Sequence, residues 1–113
     1  MIHIPLKLEY EMDLKKALGS VFMKLRKSRG FSQEDFGLVS SRTYVSKLER
    51  GVASPTLVKL DQLARVMEVH PASIVVQSYL AYDKNTSALE LMSRIMEDIK
   101  KIERENDVAG DTN

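Results

Sequence analysis

The chain has 113 residues, with 17 Lys and Arg against 16 Asp and Glu, for a formal net charge of +1. That length suits one domain, or one small domain with an accessory element, and a 43% hydrophobic content is enough for a packed core. Five Gly and three Pro are few for a turn-rich β-sandwich, so composition leans to helix, and the absence of Cys excludes a disulfide scaffold, a thiolate metal site and a Cys nucleophile.

At the N-terminus Ile2, Ile4, Leu6, Leu8 and Tyr10 alternate with His3, Pro5, Lys7 and Glu9. A period of two is the pattern of a half-buried strand, and Pro5 restricts it to an edge strand or an extended arm over 1–12. Met12 offers a second start, which would make this arm a dispensable extension. From Asp13, a candidate N-cap, the period becomes helical through Leu14, Leu18, Val21 and Leu25, and Gly30 ends the first helix. Ser32 caps a short second helix, with acids Glu34 and Asp35 in its first turn and Phe36 inward, running to about Leu38. Ser40 or Ser41 caps a third helix through Tyr44, Val45 and Leu48, closed by Gly51. Ser54, Pro55 and Thr56 open a fourth, with Leu57, Leu60, Leu63, Ala64 and Met67 on one face. Pro71 starts a fifth, with Ile74, Val75 and Tyr79 inward.

Residues 83–86 form a polar break, and Ser87 with Glu90 makes a capping box for a sixth helix to about Glu105. In it Ala88, Met92, Ile95, Ile99 and Ile102 are spaced 4, 3, 4, 3, an a/d heptad seam. Residues 106–113 are expected to form a flexible tail.

The total charge conceals its distribution. Residues 14–53 carry Lys15, Lys16, Lys24, Arg26, Lys27, Arg29, Arg42, Lys47 and Arg50 against Glu34, Asp35 and Glu49, a net of +6. The rest of the chain is mildly acidic. A local basic block can bind phosphate even in a chain that is nearly neutral overall. The longest uncharged stretch, 69–82, has 14 residues and includes polar ones, too short and too polar to cross a bilayer. No signal-peptide pattern opens the chain, so a cytoplasmic protein that does not engage the membrane is expected.

Two short helices joined by a tight turn inside a basic block suggest a helix-turn-helix, whose second helix enters the major groove. The residues that carry the suggestion are Leu25 and Arg26, the run Gly30-Phe31-Ser32-Gln33-Glu34, the stretch Arg42-Thr43-Tyr44-Val45-Ser46-Lys47-Leu48-Glu49-Arg50-Gly51, and Pro55-Thr56-Leu57. Over roughly 14–76 the chain resembles the lambda-repressor-like, XRE-type helix-turn-helix regulators, and its third helix is also similar to controller proteins of restriction–modification systems. The spacing of Glu49, Gly51 and Pro55 is the most specific piece. The resemblance implies a five-helix DNA-binding domain over 13–82; with the heptad seam, which marks a separate C-terminal dimerisation helix over 86–105, the expected fold is all-α.

It also implies roles. Val45 and Leu48 face the core. Arg42, Thr43, Ser46 and Lys47 point outward as base readers, since Arg and Lys donate to guanine O6 and N7 and Thr can touch a thymine methyl. Gln33, Ser32, Lys27, Tyr44 and Arg50 meet phosphate or sugar, with Tyr44 as core packing the competing reading. Arg26 and Glu49 match a partly buried structural salt bridge. One departure stands out: between Ser32 and Arg42 the chain is about two residues shorter than the family pattern and lacks the usual turn glycine. A clipped second helix or a tightened turn is therefore expected.

Other chemistries find little support. His3 and His70 have no ligand partners at metal spacing, and no nucleophile–base pair or phosphate loop is present. No enzyme activity, cofactor or metal is expected. A helix of about 20 residues spans about 30 Å, more than a domain of about 60 residues can cover. Its exposed seam therefore favours a homodimer over packing on its own domain. The expected function is a sequence-specific transcriptional regulator, a repressor, bound as a homodimer to double-stranded DNA at a palindromic operator. The alternative is an antitoxin or adaptor whose C-terminal helix binds a partner protein.

Overall fold

The computed structural model describes residues 7–111, with side chains described over 13–107. The chain divides into two units, Met1–Tyr82 and Asp83–Asn113. The first holds α1 (Lys7–Ser28), a single 3-10 turn (Gln33–Phe36), α2 (Arg42–Glu49), α3 (Leu57–Val66) and α4 (Pro71–Tyr82), and the second holds α5 (Ala88–Asp111). No strand occurs among the described residues, as an all-α fold requires.

The first three helices, α1, α2 and α3, end where local chemistry stops them. After α1, Gly30 takes a φ of 79°, its N–H donates to Lys27 O, and Phe31 N–H donates to Arg26 O, both at 3.1 Å. This is a glycine-reversed C-terminus that satisfies the last carbonyls. Ser41 Oγ accepts from Tyr44 N–H at 3.1 Å to start α2, and Thr56 Oγ1 accepts from Lys59 N–H at 3.1 Å to start α3. Gly51, at φ 75°, closes α2, with Val52 N–H reaching back to Lys47 O at 2.9 Å. Glu68 performs the same reversal after α3 at φ 58°.

The core draws on every element of this unit: Phe22 from α1, Phe36 from the 3-10 turn, Val45 and Leu48 from α2, Leu60, Leu63 and Ala64 from α3, Met67 beyond it, and Ile74 from α4. Burying one such side chain stabilises by about 1.5–3 kcal/mol. Phe22 and Phe36 lie 5.4 Å apart between ring centroids, and Phe31 adds a second ring 6.1 Å from Phe36. The short turn between Ser32 and Arg42 is thus pinned by one aromatic side chain rather than by helical length.

Several expectations are corrected. The helix expected after an Asp13 cap begins at Lys7, so Asp13 lies within it and 7–12 form no extended arm. Lys, Leu, Glu and Met are good helix formers, and nothing after Pro5 interrupts them. Ile2, Ile4 and Leu6 of the alternating pattern lie outside the described residues. The 22-residue α1 buries Gly19, Phe22 and Arg26, while Leu14, Leu18, Val21 and Leu25 flank that stripe half-buried. The second helix is cut to four residues. Leu57 is 77% exposed and Tyr79 41% exposed, because their stripes run past the edge of the core. They line an open apolar groove of about 240 Å³ with Leu14 and Leu18. In α4 the buried position falls to Ser78, whose hydroxyl donates to Ile74 O at 2.7 Å.

The second unit is a turn and a helix. Asp83 accepts from Asn85 N–H at 3.1 Å and Thr86 Oγ1 at 2.9 Å, an Asx turn. Ser87 Oγ then accepts from Glu90 N–H at 3.1 Å. The helix runs to Asp111, six residues beyond the expected end at Glu105. Met92, Met96, Ile99 and Ile102 are exposed along it, and Leu89 is 78% exposed. Ala88 is also exposed, and Ile95 is half-buried.

Candidate nucleic-acid interface

α2 is eight residues long and strongly two-faced. Val45, Leu48 and Glu49 are buried, and the i, i+1, i+4, i+5 spacing of Arg42, Thr43, Ser46 and Lys47 puts all four on the other side. Arg42, Thr43 and Lys47 are exposed and Ser46 is half-buried. Arg42, Thr43, Ser46, Arg50 and Gln33 line one open cleft of about 220 Å³. The expected base-reading residues and two of the expected phosphate contacts are therefore brought together, Lys47 lying outside the cleft on the same face. Lys27 and Ser32 are exposed. Ser32 N–H donates to Asp35 Oδ2 at 2.7 Å, which ties down the 3-10 turn.

Beneath this surface lies a buried ion pair. Arg26 donates from Nε to Glu49 Oε2 at 2.7 Å and from Nη2 to Glu49 Oε1 at 2.8 Å, and its Nη1 donates to Phe31 O at 2.9 Å. A bidentate guanidinium–carboxylate pair is among the strongest hydrogen-bonded contacts a protein makes. The hydrogen bond to Glu49 holds the Arg26 guanidinium above its ordinary pKa against the opposing effect of burial. Gln33 joins this pair, its Nε2 donating to Glu49 Oε1 at 3.1 Å. So α1, the 3-10 turn and α2 are joined at one carboxylate, which fixes the pose of the helix that carries the outward residues. The Gln33 amide is thus turned to Glu49, at the edge of the cleft.

Tyr44 sits on the flank of α2, half-buried and packed against the core. Burial pushes its phenol above the ordinary value, so it is a neutral donor at neutral pH. Lys59 Nζ stands 5.8 Å from the ring centroid and donates to Val39 O at 2.5 Å, closing the turn ahead of α2. Arg50 turns back along the helix, its Nε 3.3 Å from Ser46 O. Sequence reasoning missed Glu34: its Oε1 lies 3.0 Å from Arg42 Nε. No periodicity joins residues eight apart across a turn, and only the clipped geometry brings them together.

Among the described residues no cluster of His, Cys, Asp or Glu could hold a metal ion. No helix there is long and apolar enough to cross a membrane.

A short two-faced helix clamped by its predecessor, with a polar and basic outer face, defines a helix-turn-helix DNA-binding domain. The family model described as "Helix-turn-helix" matches residues 22–74. An uncharacterized HTH-type transcriptional regulator, y4dJ of Sinorhizobium fredii (strain NBRC 101917 / NGR234), is 39% identical over 66 residues, covering 57% of this chain and 86% of that protein. The chain belongs to the XRE-type family of helix-turn-helix transcriptional regulators. Two crystal structures of the clp gene regulator ClgR from Corynebacterium glutamicum share the fold. One has a TM-score of 0.58 at 19% identity, over 79% of this chain and 88% of that one. The other has a TM-score of 0.58 at 20% identity, over 74% and 100%.

Proposed function

We propose that this regulator is a sequence-specific repressor that binds a palindromic operator as a homodimer. The observation that carries the reading is the cleft on α2, where Arg42, Thr43, Ser46 and Arg50 meet beside Gln33 within a block of net charge +6. Arg42, Thr43, Ser46 and Lys47 read base edges. Gln33, Ser32, Lys27, Tyr44 and Arg50 contact the backbone and set the register. The Arg26–Glu49 pair fixes the pose of α2, so on binding the ordering that remains is that of the exposed side chains.

Dimerisation is assigned to α5. Its exposed Met92, Ile99 and Ile102 follow a heptad spacing with Ala88 and Ile95, and covering each large side chain with a second copy gains about 1.5–3 kcal/mol. Two copies related by a two-fold axis would present their α2 helices to major grooves one helical turn, about 34 Å, apart.

Selection of binding sites from random DNA, followed by a footprint, tests the reading. A palindromic consensus with two protected half-sites about one turn apart is expected. Recovery of no sequence at physiological salt, together with a stoichiometric partner protein in a pull-down, would replace it with the adaptor or antitoxin reading.

A further inference from the structure

We propose that Glu34 is a specificity-determining residue, positioning Arg42 so that its guanidinium reads guanine; this rests on the DNA-reading role given to α2 above. The observation is the ion pair between the 3-10 turn and the first residue of α2, with Glu34 Oε1 3.0 Å from Arg42 Nε.

Three features bear on what this pair does. Both side chains are largely exposed, 68% for Arg42 and 61% for Glu34, and exposed pairs contribute little to stability. Its value therefore lies elsewhere than in holding the fold. Arg42 also opens α2, where the positive end of the helix dipole disfavours a cation, and α2 has no acid in its own first turn. Glu34 supplies the missing counter-charge from a different element. Finally, the contact is made through Nε on the shaft side of the fork. The two Nη groups at the tip are the donors that match guanine O6 and N7.

A guanidinium held this way behaves differently from a loose one. A free Arg side chain can swing to a phosphate or accept several bases, and its attraction to DNA is then largely sequence-independent. Drawn toward Glu34, the guanidinium favours one side of the α2 N-terminus over its other conformers. The carboxylate disfavours nearby phosphate, which works against the swung-out conformer. Glu34 thus exchanges some general affinity for discrimination at one base pair.

The test uses the full chain and a site selected by the wild type. Competition between that site and its single-base variants, at one fixed salt concentration, gives the discrimination at each position. Wild type and the Glu34→Ala, Glu34→Gln, Arg42→Ala and Glu34→Ala/Arg42→Ala variants are compared. Wild type is expected to prefer guanine at one position by about tenfold or more. Glu34→Ala should lower that preference at least about fivefold at this position alone, while total affinity is kept or rises. Glu34→Gln, which keeps an acceptor, should fall between. The double variant should match Arg42→Ala at that position, because the effect of Glu34 on that base runs through Arg42. Unchanged discrimination in Glu34→Ala, or an equal loss at every position, overturns the inference and leaves the DNA-reading function standing. Failure of the wild type to select any site overturns both. Thermal unfolding at the wild-type temperature confirms that Glu34→Ala is folded.

Discussion

Gly19 of α1 and Leu48 of α2 meet backbone to backbone: a Cβ built on Gly19 would collide with Leu48 O and lie 2.7 Å from Glu49 O. No side chain can yield there, because both neighbours are main-chain atoms. The approach of α2 to α1, and hence its tilt, depends on the absence of one carbon atom. Gly19→Ala gains up to about 1 kcal/mol in helix propensity, but the clash outweighs it. A net destabilisation of about 1–3 kcal/mol is expected, read as a lower urea midpoint. A midpoint at or above wild type would show that the helices can part without cost.

The Arg26–Glu49 pair predicts an asymmetry between single and double variants. Arg26→Met strands the Glu49 carboxylate with only the Gln33 amide and should cost about 3–5 kcal/mol. Arg26→Met combined with Glu49→Leu leaves no buried charge and should recover much of that loss. Thermal unfolding of the four proteins in the cycle measures the coupling, and strictly additive losses would count against it.

The same residues show how much was legible beforehand. Ser41, Thr56, Gly30 and Gly51 marked helix ends in the sequence because capping and left-handed reversal are local chemistry, decided within four or five residues. Val45 and Leu48 were legible as core through the resemblance of the third helix to the family. Phe22 was not legible as core, since the helical stripe through Leu14, Leu18 and Leu25 is wide and only packing shows which part of it points to the centre. Leu57 and Tyr79 fit their stripes in period but lie beyond the core's edge, and the extent of a core is not a property of one helix. The start of α1 was hidden because Leu6, Leu8 and Tyr10 satisfy a period of two. In the candidate site the outward residues of α2 were legible. The link of Gln33 to Glu49 and of Glu34 to Arg42 was not, because both depend on how far the short turn brings two elements together.

Glu68 offers a stabilising change. It holds the left-handed position after α3 at φ 58°, where an L side chain costs about 1–2 kcal/mol and glycine costs far less. It is exposed. Glu68→Gly should stabilise the first unit by roughly 0.5–1 kcal/mol once glycine's extra unfolded-state freedom is counted. That corresponds to a melting-temperature rise of a few degrees. A fall in melting temperature would mean that Glu68 makes a compensating contact.

The outer face of α2 is tested by pairs of DNA sequences rather than by one affinity. Arg42→Ala and Lys47→Ala should each weaken binding to the selected site by about 1–3 kcal/mol and relax one base position. Lys27→Ala should weaken binding to all sequences alike and reduce the salt slope by about one. Equal losses on selected and random DNA in the first two variants would assign them to the backbone instead.

For α5, Ile95→Asp with Ile99→Asp places charges in the middle of the heptad seam. The double variant is expected to be monomeric by light scattering, with the unfolding of the first unit unchanged. A mass identical to wild type would rule out the seam as a contact between copies.

The brevity of α2 limits how much it can say. Its eight residues rise about 12 Å, which at about 3.4 Å per base pair faces about three or four base pairs. A four-letter word recurs by chance about once in 256 positions, so among roughly a million competing sites it is found some thousands of times. Spoken twice at a fixed interval, the same word becomes one of eight letters, recurring about once in 65,000 positions in that same count. One copy of this chain can pronounce a syllable; an address on a chromosome takes at least a pair, so the helix that would join two copies carries as much of the message as the helix that touches the bases.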